Sequence, residues 1–262
     1  MRSFVVVGIM LMAFEPRAQQ NEASEFLAKS LTTAEILPVE FKDSLRSKDF
    51  STLWTTAVNW KVFGFIGDDY QRLRIKMLSV IKDPSEPLLH RVYGKDMVKH
   101  NICEFQGELS ITNIRRYAST SSGVDEAYAD SAVQGQYLVG GTYRFLEDPV
   151  QRHSGTLQGT FVSYFYIDAK GGIRYDDIED VADGYCNNQF VGTWTSSKGD
   201  LVKRCNWGDS RIPNAEALDG GAGEFGPDEK YAPNGWQSYL DAYFYAGPRE
   251  RALAIERAEW WK

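Results

Sequence analysis

The chain has 262 residues, 43% hydrophobic, 25% charged and 13% aromatic, with 29 Lys and Arg against 36 Asp and Glu and a net charge of −7. This is the composition of a soluble globular protein of one or two domains, which excludes disordered, collagen-like and multi-span membrane chains. The surplus positive charge of a nucleic-acid-binding surface is missing.

Arg2 opens an unbroken apolar run, Phe4 to Phe14, followed by Glu15-Pro16-Arg17-Ala18. The run is about half as long as a ~30 Å hydrocarbon core, so it predicts a secretory signal peptide over residues 1–18 and no integral membrane span. Cleavage between Ala18 and Gln19 removes two arginines and one glutamate and takes the net charge from −7 to −8. The exported chain, periplasmic or extracellular, is then too acidic to adhere to anionic membranes.

Residues 20–37 predict a short amphipathic helix with Phe26, Leu27, Leu31, Ile36 and Leu37 on its apolar side, stopped by Pro38. From Val58 the apolar period is two, and strands are expected at 60–66, 70–81, 88–93, 97–114, 136–146, 156–168, 172–175, 188–196 and 201–207. Turn signals separate them, among them Gly67-Asp68-Asp69, Gly94-Lys95-Asp96 and Lys198-Gly199-Asp200. Residues 219–234 read as a long Gly-, Pro- and Asp-rich loop, and 236–261 as C-terminal helices with Pro248 in a first turn. Residues 19–262 thus form a single, mostly β, antiparallel domain.

Strand faces carry further information. Leu73, Ile75 and Met77 alternate with Arg72, Arg74 and Lys76, as in a sheet with one solvated side. Leu157, Phe161, Phe165 and Ile167 face one way, and Gln158, Val162, Tyr164 and Tyr166 the other, either beneath the terminal helices or along a cavity. Cys103 shares a face with Phe105, Leu109 and Ile111 and behaves as a small buried hydrophobe. Cys186 and Cys205 flank an apparent hairpin, and export permits a disulfide between them. Closing that ~20-residue loop stabilises by roughly 3 kcal/mol on the chain-entropy model, the alternative being three free thiols.

Gly141-Thr142-Tyr143, Gly159-Thr160-Phe161 and Gly192-Thr193-Trp194 repeat one theme. Glycine beside a large aromatic suits a strand that bends within a closing sheet, which predicts a barrel, with a β-sandwich as runner-up. Phe190-Val191-Gly192-Thr193-Trp194 resembles the Gly-x-Trp signature of lipocalins and other calycins, small exported barrels that hold an apolar ligand inside. That family carries the signature on its first strand, whereas here it lies near the last. The resemblance implies a lipocalin-like architecture and transfers no ligand residue. More broadly, the chain resembles exported bacterial proteins of unknown function.

Gly221-Ala222-Gly223-Glu224-Phe225-Gly226 matches the dinucleotide-binding pattern, but Pro227-Asp228 follows where a helix must begin, so it reads as a loop. No nucleophile elbow, phosphate loop or zinc-protease motif occurs, and His90, His100 and His153 lack metal-ligand spacing; neither cofactor nor metal is expected. The acidic stretch from Asp176 to Asp183 reads as a solvated loop or a weak Ca²⁺ site. Glu104 and Glu108, ~13 Å apart on one strand, are too distant to act as a glycosidase pair, and Glu224 is a further candidate carboxylate.

The leading functional expectation is an exported, non-catalytic protein that holds a small or apolar ligand within the barrel. Tyr143, Phe161, Trp194 and Trp207 would wall the pocket, and Asn206, Asp209 and Arg211 would supply polar contacts. The structural alternative has Asp209 paired with Arg211 and Trp207 plugging one barrel end. Other function classes are a carbohydrate-active enzyme or module, marked by a cleft with close carboxylates, and an interaction domain without a pocket, marked by a flat aromatic patch around Tyr164 and Tyr166.

Overall fold

A computed structural model describes residues 15–262 apart from 130, 246 and 248. The expected leader lies outside the described residues through position 14, as does Pro248. The strands are β1 (Val62–Ile66), β2 (Gln71–Lys82), β3 (Leu89–Val98), β4 (Asn101–Arg116), β5 (Gly135–Glu147), β6 (Gly155–Ile167), β7 (Ile173–Tyr175), β8 (Asn187–Ser196) and β9 (Val202–Asp209). All pairings are antiparallel. β1 to β6 pair in sequence, β6 pairs with β8, β8 with β9, and β9 returns to β1. The result is a closed barrel of eight strands, with β7 extending the far end of β6 outside it. Closure removes every open sheet edge among these eight strands.

An unbroken chain of aromatic contacts fills the interior. Trp54 meets Phe161 edge-on at 5.6 Å, and Phe161 packs on Phe190 at 5.7 Å. Phe190 stacks on Trp207 at 4.6 Å, and Tyr143 stands against Trp207 at 5.0 Å. Phe145 follows Tyr143 at 5.2 Å and stacks on Phe105 at 4.9 Å. Such pairs contribute about 0.5–1.5 kcal/mol each beyond their area burial. Glycines at inward positions make the space: a Cβ on Gly192 would lie 2.5 Å from the Tyr143 hydroxyl and 2.1 Å from the Gln158 carbonyl oxygen. Gly94 lies beneath the Phe105 ring in the same way.

That contact explains one difference from the sequence reading. Gly94-Lys95-Asp96 is not a turn but the middle of β3, and the chain reverses at Lys99, whose φ is +59°. The glycine serves a packed ring rather than a bend.

Helix α1 (Glu15–Ser30) lies outside the barrel, where Thr160 donates to the Ala23 carbonyl at 2.7 Å and Glu22 pairs with Arg204 at 2.7 Å. Phe26, Leu27 and Leu31 pack on Leu138 and Val162. The helix starts earlier than expected and ends at Ser30; residues 31–35 form turns and a bend, and Ile36 bridges to Tyr117. Beyond it the chain runs along the end of β4, forms the short helix α2 (Lys42–Leu45), and closes one barrel mouth with Phe50, Leu53 and Trp54.

The outer side of β1 and β2 is covered. Phe63 and Phe65 pack beneath Phe225, Trp236 and Tyr239 of the C-terminal segment. This segment carries helices α3 (Gln237–Tyr243) and α4 (Arg249–Arg257). Arg72 and Arg74 are not solvated as expected: both pair with Glu256, which is 2% exposed, and the Arg72 guanidinium lies over Trp236 at 4.9 Å. Among the described residues no helix is long and apolar enough to cross a membrane.

The three cysteines are free, so the expected Cys186–Cys205 bond is not formed. Asn187 pairs with Asp209, which puts Cys186 four or more residues along the ladder from Cys205, ~13 Å. A disulfide needs Cα atoms within ~7 Å. Cys205 faces the core, whereas Cys186 stands beyond the start of β8.

The notch at Gly192 has a testable cost. Gly192→Ala should destabilise by about 1–3 kcal/mol through overpacking against backbone and Tyr143. Lys198→Ala in the exposed turn should stay within about 0.5 kcal/mol, both measured by urea unfolding.

Candidate binding cleft

The aromatic residues expected to wall a pocket are the ones that fill the barrel. Tyr143, Phe161 and Trp207 are at most 3% exposed, and Trp194 packs in the same core. Beside Phe190 and Trp207 a space of about 30 Å³ remains, room for about one water. The expected polar residues separate. Asn206 points outward beneath α1, donating to Glu22 at 3.1 Å and accepting from the Gly192 N–H at 3.1 Å. Arg211 pairs with Asp219 at 2.6 Å rather than with Asp209, and also donates to the carbonyls of Gly221, Ala222 and Gly223. In the glycine-rich loop, carbonyls thus converge on a guanidinium, the opposite polarity to a phosphate cradle.

Asp209 lies at the mouth closed by Trp54. Its Oδ2 accepts from Asn188 Nδ2 at 2.7 Å and from the Tyr175 hydroxyl at 3.0 Å. Burial pushes its pKa up to about 7 against those hydrogen bonds and the charge of Lys76. Asn188 also donates to the Leu53 carbonyl at 2.8 Å and takes φ +43°, a left-handed conformation that Asn adopts more readily than most residues. It therefore ties the plug to the barrel. His90 is fully buried beneath Phe50 and Trp54, and burial lowers its pKa to about 4, so it is neutral.

Immediately outside this mouth is a cleft of about 540 Å³, lined by Glu35, Tyr117, Ser119, Ser121, Gln136, Tyr164, Asp176, Glu179, Tyr185 and Cys186. Five separate stretches of chain meet there, from the turn after α1 to the start of β8. Tyr117 and Tyr164 stand 6.3 Å apart at 57°. Tyr185 donates to the Asp176 carbonyl at 2.6 Å, and Gln136 Nε2 donates to the Asp176 carboxylate at 2.9 Å. Ser121 donates to Glu179. The Asn187 side chain bonds to the backbone of Tyr164 and Asp176, which joins β6, the segment after β7 and β8 into one wall.

The cleft is electrostatically negative. Among the described residues three carboxylates, Glu35, Asp176 and Glu179, line it, and no Lys or Arg does. Burial, reinforced by Asp177 and Glu179, raises the pKa of Asp176. Burial with Tyr164, Asp176 and Glu35 nearby raises that of Tyr117, and burial pushes the Cys186 thiol up to about 11. Burial is the largest cause of all three shifts; neighbouring acidic groups add to it at Asp176 and Tyr117, whereas the charge of Arg211 partly offsets it at Cys186.

Tyr164 was legible from its aromatic, non-aliphatic strand face, and Asp176 and Glu179 from the acidic stretch. Glu35, Tyr117, Ser121, Gln136 and Tyr185 carry no local signal, because only barrel closure brings them together. The acidic stretch does not gather as a Ca²⁺ loop: Asp176 turns inward to Gln136, Glu179 faces Ser121 and Asp180 pairs with Lys61.

Asp209 and His90 act oppositely on stability. A carboxyl whose pKa rises on folding from ~3.9 to about 7 makes the folded state hold more protons, so stability falls as pH rises between those values. A histidine lowered to about 4 makes stability rise with pH up to ~6.5. Asp209→Asn should therefore remove a loss of up to about 1.4 kcal/mol per pH unit. The check is the wild-type-minus-mutant difference in urea unfolding free energy, which should decline from pH 5 to pH 7 and level off above it.

No protein-family model, curated protein or solved structure matches the chain. The lipocalin-like resemblance accordingly rests on the closed eight-strand antiparallel barrel and on Gly192-Thr193-Trp194, and reaches no further than architecture.

Proposed function

We propose that this is a non-catalytic binding protein that takes a small organic cation, an amine or quaternary ammonium, in the tyrosine–carboxylate cleft at the rim of the barrel. One observation carries the reading: a cleft of about 540 Å³ in which, among the described residues, three tyrosines and three carboxylates converge without a basic side chain lining it. Its volume suits a small ligand. The faces of tyrosine rings attract cations by about 0.5–2 kcal/mol each, and carboxylates add charge complementarity. The interior of the barrel is the less favourable place for a ligand, since rings occupy it.

Export is part of the proposal. The leader expected at residues 1–18 supports it, and cleavage after Ala18 leaves Glu22 and Ala23 of α1 with their barrel contacts. The carbohydrate-binding reading shares the cleft, because tyrosines also stack on sugars and Ser119, Ser121 and Gln136 offer hydroxyl partners.

Calorimetric titration with choline, with its uncharged isostere 3,3-dimethylbutanol and with a neutral disaccharide separates these readings. Choline should bind, the isostere at least about tenfold more weakly, a difference of ~1.4 kcal/mol. Tyr164→Ala and Glu179→Gln should each weaken choline about tenfold or more. Equal binding of choline and the isostere, or binding of the disaccharide alone, would refute the cation reading.

A further inference from the structure

We infer that Asp96, Cys103 and Glu147 form a site for one divalent transition-metal ion of the zinc type, at the barrel end opposite the tyrosine cleft. The three residues come from adjacent strands. Asp96 on β3 pairs with Cys103 on β4, and Glu147 on β5 lies two residues farther along, opposite Phe105. All three side chains point inward, and one ligating atom from each lies within 4.8 Å of the others.

A second observation points to a ligand there. Asp96 is 3% exposed, and its Oδ2 meets no donor: its side chain lies against the Glu147 carboxylate, which has only lone pairs to offer unless a proton or a cation stands between them. A buried carboxylate oxygen without a donor is costly, and a bound cation supplies what the fold withholds. Glu147 is held in place from behind: Trp194 Nε1 donates to both of its oxygens at 3.1 Å, and the Gly155 N–H donates to one of them. Asn101 Nδ2 similarly reaches Cys103 Sγ at 3.3 Å. Outer groups that orient ligands in this way are characteristic of metal sites.

The donor set selects the ion. One thiolate and two carboxylates fall short of the six to eight oxygens that Ca²⁺ takes, whereas zinc-type ions accept sulfur and oxygen in four-coordinate sites. Three protein ligands leave a fourth position for water or an exogenous ligand. Glu147 also borders an open depression of about 790 Å³ on the barrel wall, lined by Glu104, Glu108 and Asp148 and by Arg91 and Arg144.

Co²⁺ is the probe, added to full-length protein stripped with a chelator. One equivalent per chain should bind with a thiolate-to-cobalt charge-transfer absorption, displaceable by Zn²⁺. The band should vanish in Cys103→Ser, persist in Cys186→Ser, and require at least tenfold more Co²⁺ in Asp96→Asn, which keeps the size of the side chain should the cysteine variant fail to fold. A proton shared by Asp96 and Glu147 is the competing way to satisfy the orphan oxygen, and then no Co²⁺ binds. That result would overturn the site, as would bound Co²⁺ without the band or a band that follows Cys186.

Discussion

The aromatic column from Trp54 to Phe105 is the constraint on which the rest of the molecule depends. Eight strands enclose an interior just wide enough for side chains to fill. Here the filling is done by rings that need glycines opposite them, at Gly192 and Gly94 most plainly. Within this column the Tyr143 hydroxyl is buried without a hydrogen-bond partner, and inward carboxylates stand towards its two ends. Asp209 with Asn188 and Tyr175 occupies one end, and Asp96 with Cys103 and Glu147 the other.

The same constraint explains why the N-terminal segment crosses a barrel mouth. Trp54 carries the ring contacts on through His90 to Phe50 and Phe165 at this mouth, and its indole donates to Ser163 at 3.0 Å, satisfying a buried hydroxyl and a buried N–H together. With that mouth plugged, the open space beside it lies outside the barrel. The rim cleft follows from this, because the segment after α1, the end of β4 and the segment after β7 are drawn to the same side. On the far flank, Glu256 anchors α4 on Arg72 and Arg74. Breaking such a buried pair by removing one partner is far more costly than its net contribution.

Much of the architecture was legible because a period of two survives wherever one strand face meets a dry core. Leu157, Phe161, Phe165 and Ile167 were assigned to one face and are buried on it; Cys103, Phe105, Leu109 and Ile111 likewise. The Gly-Thr-aromatic theme pointed to closure through bends, whereas what these glycines admit is a close neighbour: Phe161 and the Ser110 carbonyl at Gly141, the Val191 and Gly192 backbone at Gly159, and the Tyr143 hydroxyl at Gly192. The misreadings have the opposite character. Arg72 and Arg74 looked solvated because charge marks water only when no distant carboxylate covers it, and Glu256 is remote in sequence. Gly94 looked like a turn because a turn glycine and a ring-accommodating glycine are spelled alike. Cys186 and Cys205 looked like a pair because sequence spacing says nothing about strand offset. The cleft itself was mostly illegible, as its walls come from segments that meet only after the barrel closes.

The central claim is that the rings fill the barrel, and with it stands the proposal that ligand recognition belongs to the rim. The direct measurement is ring-selective NMR during a choline titration, with tyrosine and tryptophan signals assigned by substitution. The account predicts shifts at Tyr117, Tyr164 and Tyr185, with Trp54, Trp207 and Tyr143 unmoved. Shifts at Trp207 and Tyr143, with the three rim tyrosines silent, would mean that the interior opens to ligand and would contradict it.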